Sequence, residues 1–173
     1  MGTTALKYMG RYRPPAPPRS KYITPTGKAR LQDELNYLWR VKRPEVTRAV
    51  SEAAAQGDRS ENAEYIYGKK QLREIDSRVR FLQKRIDQVE VVANSPQDTS
   101  KVYFGAWVTL ENERGEEVEY RIVGADEFDH EPNYISIDSP LAQACLKKSL
   151  QEEFSVSLPT GTQVYCIISI RYR

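Results

Sequence analysis

Leu72-Arg73-Glu74-Ile75-Asp76-Ser77-Arg78-Val79-Arg80-Phe81-Leu82-Gln83-Lys84-Arg85-Ile86-Asp87-Gln88-Val89 spaces Leu72, Ile75, Val79, Leu82, Ile86 and Val89 by 3, 4, 3, 4 and 3 residues. Tyr65 stands one heptad before Leu72. An apolar seam with this alternation is a coiled-coil stripe, and it requires a second helix to cover it. The 30 residues from Glu61 to Glu90 would make a rod about 45 Å long at ~1.5 Å per residue.

The partner helix lies upstream. Thr24 is placed to cap it, and Pro25 suits its first position, where no N–H is needed. Leu31, Leu35 and Leu38 follow at helical spacing, and Pro44 should kink or restart the helix. Val46, Ala49, Val50 and Ala53 resume the stripe, and Gly57 is the expected left-handed stop. A short turn at 56–60 makes the two helices antiparallel, with a tip that projects into solvent.

After Asn94-Ser95-Pro96 the period becomes two. Val108 and Leu110; Val118, Tyr120 and Ile122; Ile135 and Ile137; Phe154, Val156 and Leu158; and Val164, Cys166, Ile168 and Ile170 read as half-buried strands. Ser139 and Pro140 start one short helix among them, running through Leu141 to Lys148. The reading is a two-domain α+β chain: an N-terminal antiparallel two-helix coiled coil and a small C-terminal α+β domain with an antiparallel sheet. The expected divisions are a Pro-rich basic leader at 1–21, the coiled coil at 22–93, a linker at 94–100 and the sheet domain at 101–173. The leader run Arg13-Pro14-Pro15-Ala16-Pro17-Pro18-Arg19 favours extended polyproline geometry, reads as disordered, and could tether nucleic acid weakly.

Composition narrows the function. Of 173 residues 39% are hydrophobic and 29% charged, and no apolar run approaches the ~20 residues of a membrane-spanning helix. Two cysteines and one histidine are too few for a disulfide framework or a Cys/His zinc site, and suit a reducing cytosol. Nucleophilic catalysis through histidine would depend on His130, in a polar stretch. No glycine pattern matches a P-loop or dinucleotide fingerprint. The net charge of +2 conceals an asymmetry: residues 1–24 hold five basic residues and no acidic ones, residues 25–92 hold 14 basic and 11 acidic, and residues 93–173 hold 7 basic and 13 acidic. Such segments suit different partners.

The tip reads Gly57-Asp58-Arg59-Ser60-Glu61-Asn62-Ala63-Glu64-Tyr65. Asp58 can cap the second helix, with Glu61 three residues on closing a capping box. Equally, two carboxylates at the end of a rod can complete a Mg²⁺ site in a partner, because that ion takes one or two carboxylates and fills its shell from water and phosphate. Neither reading excludes the other.

Three blocks carry a family resemblance: Leu35-Asn36-Tyr37-Leu38-Trp39-Arg40, then Arg43-Pro44-Glu45-Val46, then the tip itself. With them the chain resembles the bacterial Gre transcript-cleavage factors. Gln71 to Asp76 and Arg78 to Leu82 are similar to the GreB branch. Phe104-Gly105-Ala106, Tyr120 to Gly124 and Tyr134 to Pro140 continue the match over about residues 22–173. The resemblance implies an FKBP-like C-terminal domain docked at the rim of the secondary channel of bacterial RNA polymerase. It implies a coiled coil inserted into that channel, and a tip that stimulates the polymerase's own hydrolysis of backtracked RNA 3′ ends. The factor would then be a cofactor and not an enzyme alone. It would be a cytoplasmic protein, monomeric, with no metal of its own and Mg²⁺ shared with the polymerase. The same resemblance assigns Asp58 and Glu61 to metal and water positioning, supported by Arg59 and Ser60. It gives Lys69, Lys70, Arg73, Arg80 and Lys84 to nascent RNA, unless they are a solvated face balanced by Glu74, Asp76 and Asp87. It gives Asp138, Ser139 and Pro140 to docking, where they can also serve as a plain helix start. The rival readings are a channel-binding regulator without cleavage, an FKBP-type prolyl isomerase or chaperone, and a coiled-coil scaffold. The isomerase would need an aromatic-lined pocket, whereas Trp107 and tyrosines 103, 120, 134 and 165 fall scattered on alternating strands.

Overall fold

Thr24 ends a short extended segment, β1 (Tyr22–Ile23), and starts α1 (Pro25–Tyr37) by accepting the Gly27 N–H on its side chain, with Pro25 in the first turn. The helix restarts at Pro44, one of the two outcomes expected there. A π-helical turn over Leu38–Lys42 precedes α2 (Arg43–Ala55), and the Arg43 N–H reaches the Leu38 carbonyl. Pro44 has no N–H for the preceding turn and its ring crowds that turn's carbonyl; one widened turn absorbs both. α2 stops before Gly57, whose φ of +136° is a conformation that side chains resist. The computed structural model describes residues 18–57, 59, 61–159 and 161–172.

The second long helix, α3 (Ala63–Gln88), has 26 residues, or about 39 Å at ~1.5 Å each. It begins later than the capping box predicts. Its cap is Asn62, whose Oδ1 accepts the Tyr65 N–H at 3.1 Å while its amide donates to the Ala53 carbonyl at 2.9 Å. One side chain thus fastens the end of α2 to the start of α3, which Asp58 and Glu61 are not needed to do.

The heptad seam is buried as read. Leu31, Leu82 and Val89 form one cluster with Ile23, and Val46, Val50, Ile75 and Val79 form a second nearer the tip. Opposite-order pairing, Leu31 with Leu82 and Val50 with Ile75, makes the helices antiparallel. Ala49 is exposed, and Arg85, between two seam residues, is buried. Ion pairs flank the seam. Arg78 clasps Glu34 with two bonds of 2.7 and 2.8 Å, and Arg43 meets Asp76 at 2.8 Å. These hydrogen bonds hold both guanidinium pKa values above the ordinary arginine level.

Beyond β2 (Glu90–Val91), which pairs in parallel with β1, the chain forms a five-stranded sheet. Its strands are β3 (Trp107–Asn112), β4 (Glu117–Val123), β5 (Tyr134–Ser136), β6 (Glu153–Leu158) and β7 (Gly161–Arg171), in the order β5-β4-β3-β7-β6. The sheet is mixed, correcting the antiparallel expectation: β5 runs parallel to β4 because residues 124–133 carry the chain back along the sheet. Strand phase also departs from the sequence reading in β7. Thr109 pairs with Ser169 but Leu110 pairs with Ile167, so Ile168 is an extra residue. This β-bulge turns Ile167 into the core beside Leu110 and Val108, where strict alternation would have put Cys166 and Ile168. The short helix α4 (Pro140–Cys145) contributes Ala142 and Cys145 to the same core. It ends three residues short of Lys148, with Lys147 at a φ of +67°.

Rod and sheet meet through polar groups buried at their junction. Glu127 lies 103 residues from Thr24, is 3% exposed, and accepts N–H bonds from Thr24 and Gly124, each at 3.0 Å, and the Thr24 hydroxyl. Arg85 meets Asp126 at 2.7 Å, with side chains 9% and 6% exposed, and also donates to the Ser20 carbonyl. Ser20, read as leader, is held at both backbone groups, since its N–H donates to Asp138 at 2.8 Å.

Candidate functional site

The two carboxylates that define the tip follow the end of α2. Glu61 lies in a turn, exposed, next to the Asn62 clamp, and no ion pair engages it among the described residues. Arg59 is exposed as well. Asp58 and Ser60 lie outside the described residues. The clamp closes the loop at its base, so the tip is offered from a rigid pair of helices. Sequence reasoning missed Asn62; its signal was an Asn immediately before a helical run, a cap residue type. The donor set at the tip is carboxylate oxygen, which suits a hard cation such as Mg²⁺. No cluster of three or more His, Cys, Asp or Glu able to hold a metal exists among the described residues.

Lys69, Lys70, Arg73, Arg80 and Lys84 are all exposed on α3. At 100° per residue, Lys69, Arg73, Arg80 and Lys84 fall within a 60° arc, and Lys70 lies just beside it. Arg73 and Arg80 donate to carbonyls of their own helix, those of Lys69 at 3.3 Å and Asp76 at 3.2 Å. None of the five pairs with a carboxylate among the described residues. Asp76, expected to balance this face, turns instead to Arg43 on α2. The face therefore keeps more positive charge than the sequence suggested. Ile66 is exposed beside it.

In the sheet domain Ser139 caps α4 by accepting the Ala142 N–H at 3.2 Å, with Pro140 in the first turn. Asp138 is exposed and binds the Ser20 N–H, so it has a structural bond in addition to any docking role. The Asp126, Glu127, Arg85 and Thr24 junction was not found from sequence, because burial of these loop residues is decided by contacts 41 and 103 positions away. His130 is exposed, with Asp129 its nearest carboxylate at 3.9 Å. The aromatics are less scattered than expected. Tyr120 and Tyr165 pack on the core, while Trp107 and Tyr134 meet edge to face at 6.0 Å on the opposite side of the sheet, with the Arg121 guanidinium between them.

Residues 21–91 match the family described as "Transcription elongation factor, N-terminal", and residues 97–172 match "Transcription elongation factor, GreA/GreB, C-term". The chain is 60% identical to transcription elongation factor GreB of Pseudomonas aeruginosa, over 95% of this chain and 98% of that protein. It is 56% identical to GreB of Haemophilus ducreyi, over 89% of this chain and 95% of the relative. It is 55% identical to GreB of Xanthomonas axonopodis pv. citri, over 95% and 98%.

Proposed function

This chain belongs to the GreA/GreB family of transcription elongation factors, on its GreB-type branch, and on that premise we propose that it stimulates RNA polymerase to cleave backtracked RNA. The sheet domain docks at the rim of the polymerase secondary channel through the Asp138-Ser139-Pro140 segment. The two-helix rod enters the channel and delivers the tip to the polymerase active site. The single observation that carries this reading is the placement of Glu61, unpaired among the described residues, at the end of a clamped hairpin, with its helices braced from Ala53–Asn62 back to Arg85–Asp126.

Asp58 and Glu61 would hold Mg²⁺ there jointly with the polymerase, and Glu61 would help to orient the attacking water. The ion supplies Lewis-acid activation of water and neutralises charge developing on the phosphodiester. The chain itself supplies position: a helical rod, a base clamp at Asn62, and carboxylates carried at its end. Arg59 and Ser60 stand beside the phosphate. Lys69, Lys70, Arg73, Arg80 and Lys84 attract the extruded RNA through its phosphates, a contact that positions without reading sequence. Catalysis belongs to the polymerase, so this factor has no nuclease activity alone.

The short helix packed on one face of a five-stranded sheet supports an FKBP-like assignment for the sheet domain, used for docking. No helix of the described residues is long and apolar enough to cross a membrane. The working form is a cytoplasmic monomer bound to polymerase. The test adds the protein to a stalled, backtracked elongation complex. Short 3′ RNA fragments, formed only when both are present, support the reading; binding without fragments overturns the cleavage role.

A further inference from the structure

Among the described arginines Arg85 is buried, and Arg43 and Arg121 are half-buried. Arg43 pairs with Asp76 and Arg85 with Asp126. Arg121 has no carboxylate partner among the described residues, although its Nε is shielded from solvent without any hydrogen-bond acceptor. Removing a guanidinium from water is costly unless an anion or a set of acceptors replaces the lost hydration. The chain supplies part of that replacement. Trp107 on β3, Arg121 on β4 and Tyr134 on β5 are register partners across three strands. The guanidinium carbon lies 5.6 Å from the Trp107 ring centre and 5.3 Å from that of Tyr134. Nη1 also donates to the Tyr134 hydroxyl at 2.8 Å. The rings fix the orientation of the fork, yet they satisfy only one of its five donors.

This held cation lines a cleft of about 210 Å³ between the rod and the sheet. Thr26 at the start of α1, Asn94 and Ser95 of the linker, and Tyr172 line it too. Tyr172 has its hydroxyl committed, accepting from the Tyr103 N–H and donating to the Lys101 carbonyl. No acidic side chain lines the cleft. We propose that Arg121 is the anchor of a carboxylate-binding site in this cleft, with the Thr26 and Ser95 hydroxyls and the Asn94 amide as further donors. A single carboxylate suits it better than a polyphosphate or a nucleic acid. Residues 93–173 carry 13 acidic against 7 basic residues, and that field repels multiply charged anions. The occupant would touch α1, the linker and the sheet at once, and so would fix the angle between rod and sheet. The site is independent of the tip chemistry. The carboxylate can be a free small acid or one presented by an aspartate or glutamate of the polymerase.

The experiment titrates the full chain with acetate against chloride at equal ionic strength, and follows the Arg121 side-chain Nε–H and the Thr26 and Ser95 amides by NMR. It then measures polymerase affinity of the parent, Arg121→Lys and Tyr134→Phe chains, with and without acetate. Saturable, acetate-specific shifts that weaken about tenfold or more in Arg121→Lys support the free-acid form, since a lost charge-assisted bond of this kind is worth at least that factor. A fall of similar size in polymerase affinity for Arg121→Lys, with acetate competing in the parent chain, supports the presented form. Tyr134→Phe keeps the ring and should lose less in either measurement. Equal responses to acetate and chloride, together with unchanged polymerase affinity in a folded Arg121→Lys chain, overturn the site. Should Arg121→Lys fail to fold, the parent titration and the Tyr134→Phe comparison still decide.

Discussion

Asn62 rather than Asp58 starts α3, and this separates stability from activity at the tip. Asp58→Asn and Glu61→Gln should each reduce cleavage stimulation at least about 10–100-fold, the range seen when even indirect support of a metal is lost. Polymerase affinity should stay within a factor of about two. Glu61→Gln should also leave thermal stability within ~0.5 kcal/mol, because it removes an exposed group that caps nothing. Cleavage assays on backtracked complexes, beside a binding titration, check both; full activity in Asp58→Asn would remove it from the metal. A second residue-scale expectation concerns Cys145. Burial among Ala142, Ile137 and their neighbours raises its thiol pKa to about 12 from an ordinary value near 9. The folded state therefore keeps it protonated where an unfolded chain would ionise. Its contribution to stability is intact below pH ~9 and is lost progressively as the pH rises towards 12. In the folded protein a thiol reagent at pH 8 should modify the partly exposed Cys166 well before Cys145, and denaturant should abolish the difference. Equal rates in the native protein would show that the core opens at α4.

The elements show what local pattern can and cannot reveal. The α3 seam was legible because burial along a hairpin follows a repeat of neighbouring residues, and Thr24, Pro25 and Ser139 were legible because caps are local chemistry. The π turn before Pro44 and the bulge at Ile168 were not, since each is a compromise between a local rule and packing from another element. The parallel placement of β5 depends on where a ten-residue loop returns, which periodicity does not encode. The basic face was legible as composition; its freedom from Asp76 was not. Where α2 and α3 approach, Gly68 faces Val50, and a Cβ built there would stand 2.4 Å from Val50 Cγ2. Gly68→Ala should therefore destabilise the hairpin by about 1–3 kcal/mol despite its better helix propensity. Adding Val50→Ala should recover less than the sum of the two single losses would suggest only if the methyl clash is absent; the clash predicts a favourable coupling in a thermal double-mutant cycle. On the outer side of the same helix, Lys69→Ala, Arg73→Ala and Arg80→Ala combined should cut cleavage most on deeply backtracked complexes, and less at higher salt. The measurement is rate against backtracking depth at two ionic strengths. Equal losses at every depth would return these residues to solvated coiled-coil surface.

At the scale of the whole molecule, a docking domain can aim a rod only if the angle between them is fixed. That angle rests on a handful of polar contacts, among them the Glu127 bonds to the base of α1, Arg85 with Asp126 at the end of α3, and the Ser20 N–H with Asp138. None of these was legible in the sequence, because Arg85 sits in a helical run rich in exposed basic residues and Asp126 and Glu127 in an acidic loop. Arg85→Met removes the shorter of the two ion pairs of Asp126 and leaves that carboxylate, 6% exposed, to the exposed Arg19 at 3.5 Å. The expected cost is below the ~3–5 kcal/mol of a buried charge left with no partner at all. Arg85→Met with Asp126→Asn should regain part of it, since the double variant buries no charge. The functional consequence follows from geometry. The proposed docking segment on the sheet and the proposed metal ligands at the tip keep their residues, so polymerase affinity should fall little at a temperature where the variant remains folded, while cleavage stimulation should fall several-fold. Thermal denaturation sets that temperature, and cleavage is then compared at saturating factor. If the folded Arg85→Met chain cleaves as well as the parent at saturation, the junction contributes stability alone, and the direction of the rod is set by the channel walls.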